Sequence, residues 1–486
     1  MKRTYTLLAI GCGLLFAASP CFAQMYTVTD LGTLGGDISV AYGINASGQV
    51  VGWSLTGGDP SAQLTHAFRT APNKPIDPAT DDLGTLGGFY PFSVAYGIND
   101  SGDVVGGSYT SANTPDSCCI QHAFRTAPNK PINPATDGLG TLGGSHSAAY
   151  AINNAGQVVG YSENGRDTCP TGKGTSPALR AFRTAPNSPI NPTTDELGTF
   201  GGCFSVAWSI NGSGQVAGMA QNKDGFLRAF RTAANEPINP ATDNLGTLGG
   251  STDSVANSIN AFGQVVGYSW IPADDANHAF RTAADASINP LTDDLGPITE
   301  APVQPSPATA INNYGQVVGG APAFVVGNGV MNFLDNLIPA ESGWKLIMAY
   351  GINDSGQIVG MGAQGSASGA GVRRAYLLTP IYSAVVQRPI NPDGSSVFAV
   401  KRESVPLGFI LLQRDVRTCT LLPATLVITR IKDGKLTRVR SRNLSIAGCR
   451  YAYDLKPNRL GVGMYRADVS INGIMVGHAA FAIVIE

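Results

Sequence analysis

Ile44-Asn45-Ala46-Ser47-Gly48-Gln49-Val50-Val51-Gly52 is the stretch on which the fold turns. Ile-Asn-x-x-Gly followed by an apolar pair and glycine returns at Ile98, Ile152, Ile210, Ile259, Ile311 and Ile352. The spacings of 54, 54, 58, 49, 52 and 41 residues fall in the range of propeller and array repeats. Asparagine at the first position of a β-turn and glycine at the fourth is favoured turn chemistry. The motif therefore predicts a hairpin that occurs seven times.

Working outward, each hairpin belongs to a longer unit. Upstream stands a version of Asp-Leu-Gly-Thr-Leu-Gly-Gly, clear at Asp30, Asp82 and Asn244 and degraded at Asp294 and Asp335. Downstream is a third apolar run, His66-Ala67-Phe68-Arg69-Thr70 in the first repeat and His278-Ala279-Phe280-Arg281-Thr282 in the fifth. A Pro/Asn-rich loop such as Ala127-Pro128-Asn129-Lys130-Pro131 leads to the next Asp-Leu-Gly stretch. Four strands per repeat follow: A (Val40–Ile44), B (Gln49–Ser54), C (His66–Thr70) and D (Asp82–Leu86).

The phase of the repeats separates a ring from an open solenoid. The chain after the leader begins with a lone D strand, Tyr26–Leu31, and ends its repeats with A, B and C only, closing on Ala375-Tyr376-Leu377-Leu378. The orphan first strand is the one that the last repeat lacks. Closure would hide sheet edges that otherwise invite pairing, whereas an open array wants polar caps. The expectation is all-β, a seven-bladed β-propeller over residues 24–380 closed by its N-terminal strand. In strand A, Tyr42, Tyr96, Tyr150, Trp208, Asn257, Thr309 and Tyr350 alternate with small residues such as Ala41 and Gly43. With a side-chain period of two, this predicts large faces packing into the small faces of neighbouring blades.

These repeats resemble the extracellular HAF repeat family, named for the His-Ala-Phe strand. The likeness is specific in the first five; the sixth has Ala321-Pro322-Ala323-Phe324 and the seventh Arg374-Ala375-Tyr376. The resemblance implies export and a repeat fold, and carries no catalytic residue across.

The ends agree with export. Lys2 and Arg3 precede an uncharged apolar run from Leu7 to Ala18, and Cys21-Phe22-Ala23 is a small-x-small cleavage pattern, so residues 1–23 read as a signal peptide. A run of about 12 apolar residues is too short to span a bilayer, and no membrane span is expected further on. Residues 24–380 carry 15 Lys and Arg against 27 Asp and Glu, and residues 381–486 carry 15 against 7. That break in charge sets a domain boundary near Pro380. The last segment, 381–486, has longer alternating strands and a hairpin signal at Asn472-Gly473, which predicts an Ig-like β-sandwich. Gln387–Phe398 with Val405-Pro406-Leu407-Gly408-Phe409 is similar to bacterial PxKF-type domains, with Gly408 standing where that motif has lysine.

Cys419 and Cys449 are expected to pair; Cys118, Cys119, Cys169 and Cys203 form disulfides of unassigned partners, since six cysteines remain after export to an oxidising compartment. His66, His122 and His278 share one repeat position with Arg180, Arg228 and Arg374, which bind no metal. Asn99-Asp100-Ser101-Gly102-Asp103 is faintly like a calcium loop, but the other six turns lack the carboxylates that calcium needs. No cofactor, metal, nucleic-acid or nucleophile–base signature emerges.

Function is then expected from loops on a rigid frame. The B–C connections Tyr109–Gln121, Ser162–Leu179 and Trp270–Asn277 share no pattern, and the D–A turns beside them vary, whereas A–B turns and C–D loops are uniform. Tyr90, Phe92 and Trp270 are the binding candidates on the variable side. The expectation is a secreted, non-enzymatic binding or adhesion protein for glycan or cell-surface partners. The alternative, a glycan-active hydrolase or lyase using a propeller funnel, needs inward carboxylates or a Tyr/His pair, and strand A offers apolar, small, aromatic and amide side chains.

Overall fold

The computed structural model describes residues 24–57, 64–88, 91–110, 119–171, 174–249, 253–296, 307–365, 371–432 and 435–485. The leader (1–23), Tyr90 and Cys118 lie outside them. Within them the chain is all β, in small sheets that are antiparallel except where Ser396–Ala399 runs parallel to Ile474–Val484, apart from the helix Pro457–Leu460 and two 3-10 turns.

Each repeat forms its own sheet, and the turn motif explains why. In the first repeat Gly35–Ile44 pairs with Val50–Thr56, which pairs with Thr65–Arg69. Between the first two strands the Asn45 side-chain oxygen accepts the Gln49 N–H at 2.9 Å. Gly48 takes φ 83°, a left-handed conformation that costs glycine little. The amide nitrogen of Asn45 is left free to donate outward, and it reaches the Asn99 carbonyl of the next repeat at 3.1 Å. The same bond runs from Asn99 to Asn153, Asn153 to Asn211, Asn211 to Asn260, Asn260 to Asn312 and Asn312 to Asn353. From Asn353 it returns to the Asn45 carbonyl at 3.1 Å.

Burial follows the same neighbour relations. Phe68, Phe124, Phe182, Phe230, Phe280 and Phe324, one per C strand, are fully buried, as is Tyr376 in the seventh. The apolar clusters lie between consecutive sheets: Val51, Ala67 and Leu83 pack with Ala95, Val104 and Phe124. Leu31, Ala41, Val50 and Phe68 of the first repeat share a cluster with Val359, Ala375 and Leu377 of the seventh. The strand Tyr26–Asp30 pairs antiparallel with Val372–Pro380, Tyr26 opposite Pro380 and Asp30 opposite Tyr376.

Three expectations need correction. Strand D is reduced to a single bridge in the first, fourth and fifth repeats (Phe68 to Asp82, Phe230 to Asn244, Phe280 to Asp294). It is three residues long in the second and third, Gly138–Gly140 and Glu196–Gly198. The Asp82 side chain accepts the Gly84 N–H at 2.8 Å, with Gly84 at φ 69°; this local turn competes with the sheet ladder. In the sixth repeat the fourth strand is Val330–Phe333, and Asp335 falls in the 3-10 turn Leu334–Leu337 after it.

The third correction concerns strand A. Register breaks between Ala41 and Gly43, Ala95 and Gly97, Ala207 and Ser209, and Ala349 and Gly351. Each break is a bulge at the aromatic position, and a bulge re-aims the side chain. The small residues divide: a Cβ on Gly97 would stand 2.9 Å from the Tyr150 carbonyl, whereas Ala41 and Ala95 pack in the apolar clusters with Val359 and Val51 of the neighbouring sheets. The rings therefore meet one another from sheet to sheet rather than filling the small positions.

Beyond residue 380 two five-stranded sheets share buried side chains, with Leu407, Phe409 and Leu411 on one and Tyr465, Val469 and Phe481 on the other. Gly463–Ile471 and Ile474–Val484 form the hairpin at Asn472 (φ 51°) and Gly473 (φ 79°), the paired positive φ that an Asn-Gly turn supplies. The same buried cluster includes Tyr26, Leu334, Leu346 and Tyr376 from the repeats. Cys419 and Cys449 are joined in a disulfide.

Candidate binding faces

The two ends of the repeat sheets are chemically different. On one, A–B turns meet C–D loops: Gln49 of the first repeat donates to Asn129 of the second at 3.0 Å, and Gln157 of the third to Asn235 of the fourth at 2.9 Å. On the other, B–C connections meet D–A turns. There a disulfide joins Cys169, in the B–C hairpin of the third repeat, to Cys203, near the start of the strand Gly201–Ile210 of the fourth.

Local sequence builds this second rim. The third repeat runs Val158–Thr171 and Gly174–Arg183 as one long hairpin, so the connection expected as an open loop is mostly strand. Its base is fixed by charge: Arg180, 9% exposed, meets Glu196 at 3.2 Å and Asp167 at 3.0 Å, and Arg166 also bonds Glu196. Phe92 is half-buried, its ring 4.6 Å from that of Tyr109, and its carbonyl accepts the Tyr109 N–H at 3.0 Å. Trp270 lies at the end of Val265–Ile271, opposite Asn277. Phe92 and Trp270 thus sit on the second and fifth sheets and are not gathered into one cluster. Cys119 is exposed, at φ 79°.

Residues 36–184 match the model of a family described as "Protein of unknown function (DUF3466)". That stretch spans the first three copies of the turn and ends on the third C strand. A crystal structure of a tetra-tandem repeat in the extending region of a large adhesion protein is similar at 10% identity, over 95% of this chain and 99% of that one, with a TM-score of 0.14. No curated protein matches the chain.

The uniform rim is partly covered by the chain's own C-terminal sheets, at residues that the sequence reading passed over. Arg466, 8% exposed, pairs with Asp468 at 2.9 Å and donates to the Asn313 carbonyl at 3.0 Å. Its guanidinium lies 5.9 Å from the ring centre of Phe262 and 5.1 Å from that of Tyr314. The Tyr314 hydroxyl in turn is 3.2 Å from His478 Nε2. Burial, with Asp354 adding, pushes the Tyr314 hydroxyl up to about 12; burial also raises the Asp468 carboxyl against the pull of Arg466. The signal was available: the third turn position is Ser47, Ser101, Ala155, Ser213 and Ser355 elsewhere, and aromatic only at Phe262 and Tyr314.

Along the bulged strands the rings of Tyr350, Tyr42, Tyr96, Tyr150 and Trp208 touch in series, with centres 4.9, 5.3, 5.0 and 4.3 Å apart. Burial pushes the hydroxyls of Tyr96 and Tyr350 up to about 12. At the equivalent positions Asn257 and Thr309 donate to the carbonyls of Ala308 and Ala349 at 2.8 and 2.7 Å. Two of the recurrent histidines form clamps within their own repeats. His66 Nδ1 is 2.9 Å from Asp82 and His278 Nδ1 is 3.0 Å from Asp294. Burial raises the Asp82 carboxyl, but its bonds to His66 and Gly84 outweigh that and leave it below the usual carboxylate range. Among the described residues no group of three or more His, Cys, Asp or Glu is placed to hold a metal ion, and no helix is long and apolar enough to cross a membrane.

Proposed function

We propose that this chain is a secreted, non-enzymatic binding or adhesion module. Residues 24–380 form a seven-bladed propeller closed by the N-terminal strand, with an Ig-like sandwich over residues 381–486, and ligand is taken by the B–C and D–A rim. The observation that carries the reading is the contrast between rims. The A–B rim is tied by repeated amide bonds and partly covered by Arg466 and its sheet. The opposite rim carries the connections that differ between repeats, braced by Cys169–Cys203. Two disulfides fit an oxidising compartment, and variable loops on a rigid frame are where binding usually resides.

The test begins with a glycan array and a hydrolysis screen on the full exported chain. For a ligand so found, Tyr90→Ala, Phe92→Ala and Trp270→Ala together should weaken binding roughly 30-fold or more, the loss expected for truncated aromatic hot spots, with an unchanged melting profile. Loss of binding on Lys130→Ala, in the uniform C–D loops, with the aromatic variants unaffected, would place the ligand on the other rim.

A further inference from the structure

One turn departs from the residue type that the other six carry at its end. At the end of each turn stands a glutamine, Gln49, Gln157, Gln215, Gln264, Gln316 and Gln357, except in the second repeat, where it is Asp103. Each glutamine accepts its own turn asparagine through Oε1, as Asn45 to Gln49 at 2.9 Å and Asn153 to Gln157 at 2.8 Å. Where the next repeat brings a left-handed Asn or Asp from its C–D loop, the glutamine also donates to it. Asn129, Asn235, Asp285 and Asn73 are bonded in this way at 3.0, 2.9, 3.0 and 2.7 Å. Asn187, at φ 55°, is the counterpart facing Asp103, and there the bond is missing.

Three consequences meet at this junction. Asp103 is 8% exposed, and among the described residues its carboxylate has no hydrogen-bond or ion-pair partner. Asn99 keeps a single outward bond, to the Asn153 carbonyl at 3.5 Å. Arg125, whose counterparts Arg69, Arg183 and Arg231 reach the next C–D loop at 3.0, 2.9 and 3.0 Å, reaches the Gly156 carbonyl at 3.5 Å instead. Together they line a cleft of about 700 Å³ between the second and third repeats, with Asn154 and Asn187 on its far side.

We propose that this cleft is a saccharide-binding site, taking a sugar unit with adjacent free hydroxyls. The unmet groups decide the chemistry. The Asp103 carboxylate and the Asn187 side-chain oxygen want donors, while the Asn99 amide and the Arg125 guanidinium want acceptors. A hydroxyl is both, and two on neighbouring carbons can serve all four; an ammonium group or a bare cation supplies nothing to Asn99 or Arg125. The volume is that of an ordinary small-ligand site. The site lies on the uniform rim and does not rest on the proposed role of the variable one.

The protein's own repeat provides the test. Asp103→Gln restores the residue that fills the other junctions, so it should close the cleft and raise the melting temperature. Titration of the full chain with methyl glycosides of glucose, galactose and mannose, and with cellobiose and chitobiose, should show binding that Asp103→Gln weakens roughly 10- to 100-fold, the worth of a hydrogen bond to a charged group. Asp103→Asn, which keeps the size and removes the charge, should bind with an intermediate loss. Pull-down on cellulose and chitin distinguishes internal chain segments from free ends, and either result supports the site if Asp103→Gln abolishes it. No binding to any of these probes, binding that ignores Asp103→Gln, or a response to Ca²⁺ alone overturns the proposal.

Discussion

A full chain lacking residues 24–31 should yield little soluble monomer, and what folds should melt far below the parent. The segment is short, but Met25, Tyr26 and Leu31 are 1%, 0% and 0% exposed. At about 1.5–3 kcal/mol for each large apolar side chain, their loss approaches the 5–15 kcal/mol that holds a typical domain. Removal also strips Val372–Pro380 of its partner along five register pairs and leaves an unpaired strand edge, which templates association. Thermal melting with size-exclusion chromatography checks this. An unchanged transition in a monomeric variant would mean that the strand is an accessory.

Arg466→Met should be the most damaging single substitution outside the repeats. Removing one member of a buried ion pair strands the other, at a cost of about 3–5 kcal/mol. Asp468, 5% exposed, would lose the only charge that opposes its burial and be left as an unpartnered buried carboxyl, and the Asn313 carbonyl would lose its donor. The stacking on Phe262 and Tyr314 would go as well. Denaturant unfolding of the full chain measures the loss. The double variant Arg466→Met with Asp468→Leu should recover much of it, because no unpaired charge is left. A single variant as stable as the parent would show that the contact does not hold the C-terminal sheets to the repeats.

How far the sequence can be read is shown by particular residues. The turn was legible because Asn45 and Gly48 each do a job that few residue types can do. The C strands were legible because Phe68 and its counterparts recur in one register with full burial. Strand D misled because Asp82-Leu83-Gly84 looks extended yet closes a local side-chain turn. The tyrosines of strand A misled because a period of two assumes an unbroken ladder, and a bulge at that position shifts the phase. Asp103 and the pair Phe262 and Tyr314 were overlooked for the opposite reason: a repeat is found by what its copies share, and these residues matter because they depart from it.

In the ring that we propose, the seven sheets close on themselves through the first strand. The direct measurement is cross-linking of the double variant Thr27→Cys with Thr379→Cys, positions that face each other in the register of the first and last strands. Seven sheets in an open stack, about 10 Å apart, would hold those ends roughly 60 Å from one another. A closed ring should give a fast intramolecular bridge in the monomer, seen by intact mass and non-reducing mobility and absent from either single variant. Two free thiols under oxidising conditions, or bridges formed only between molecules, would contradict it.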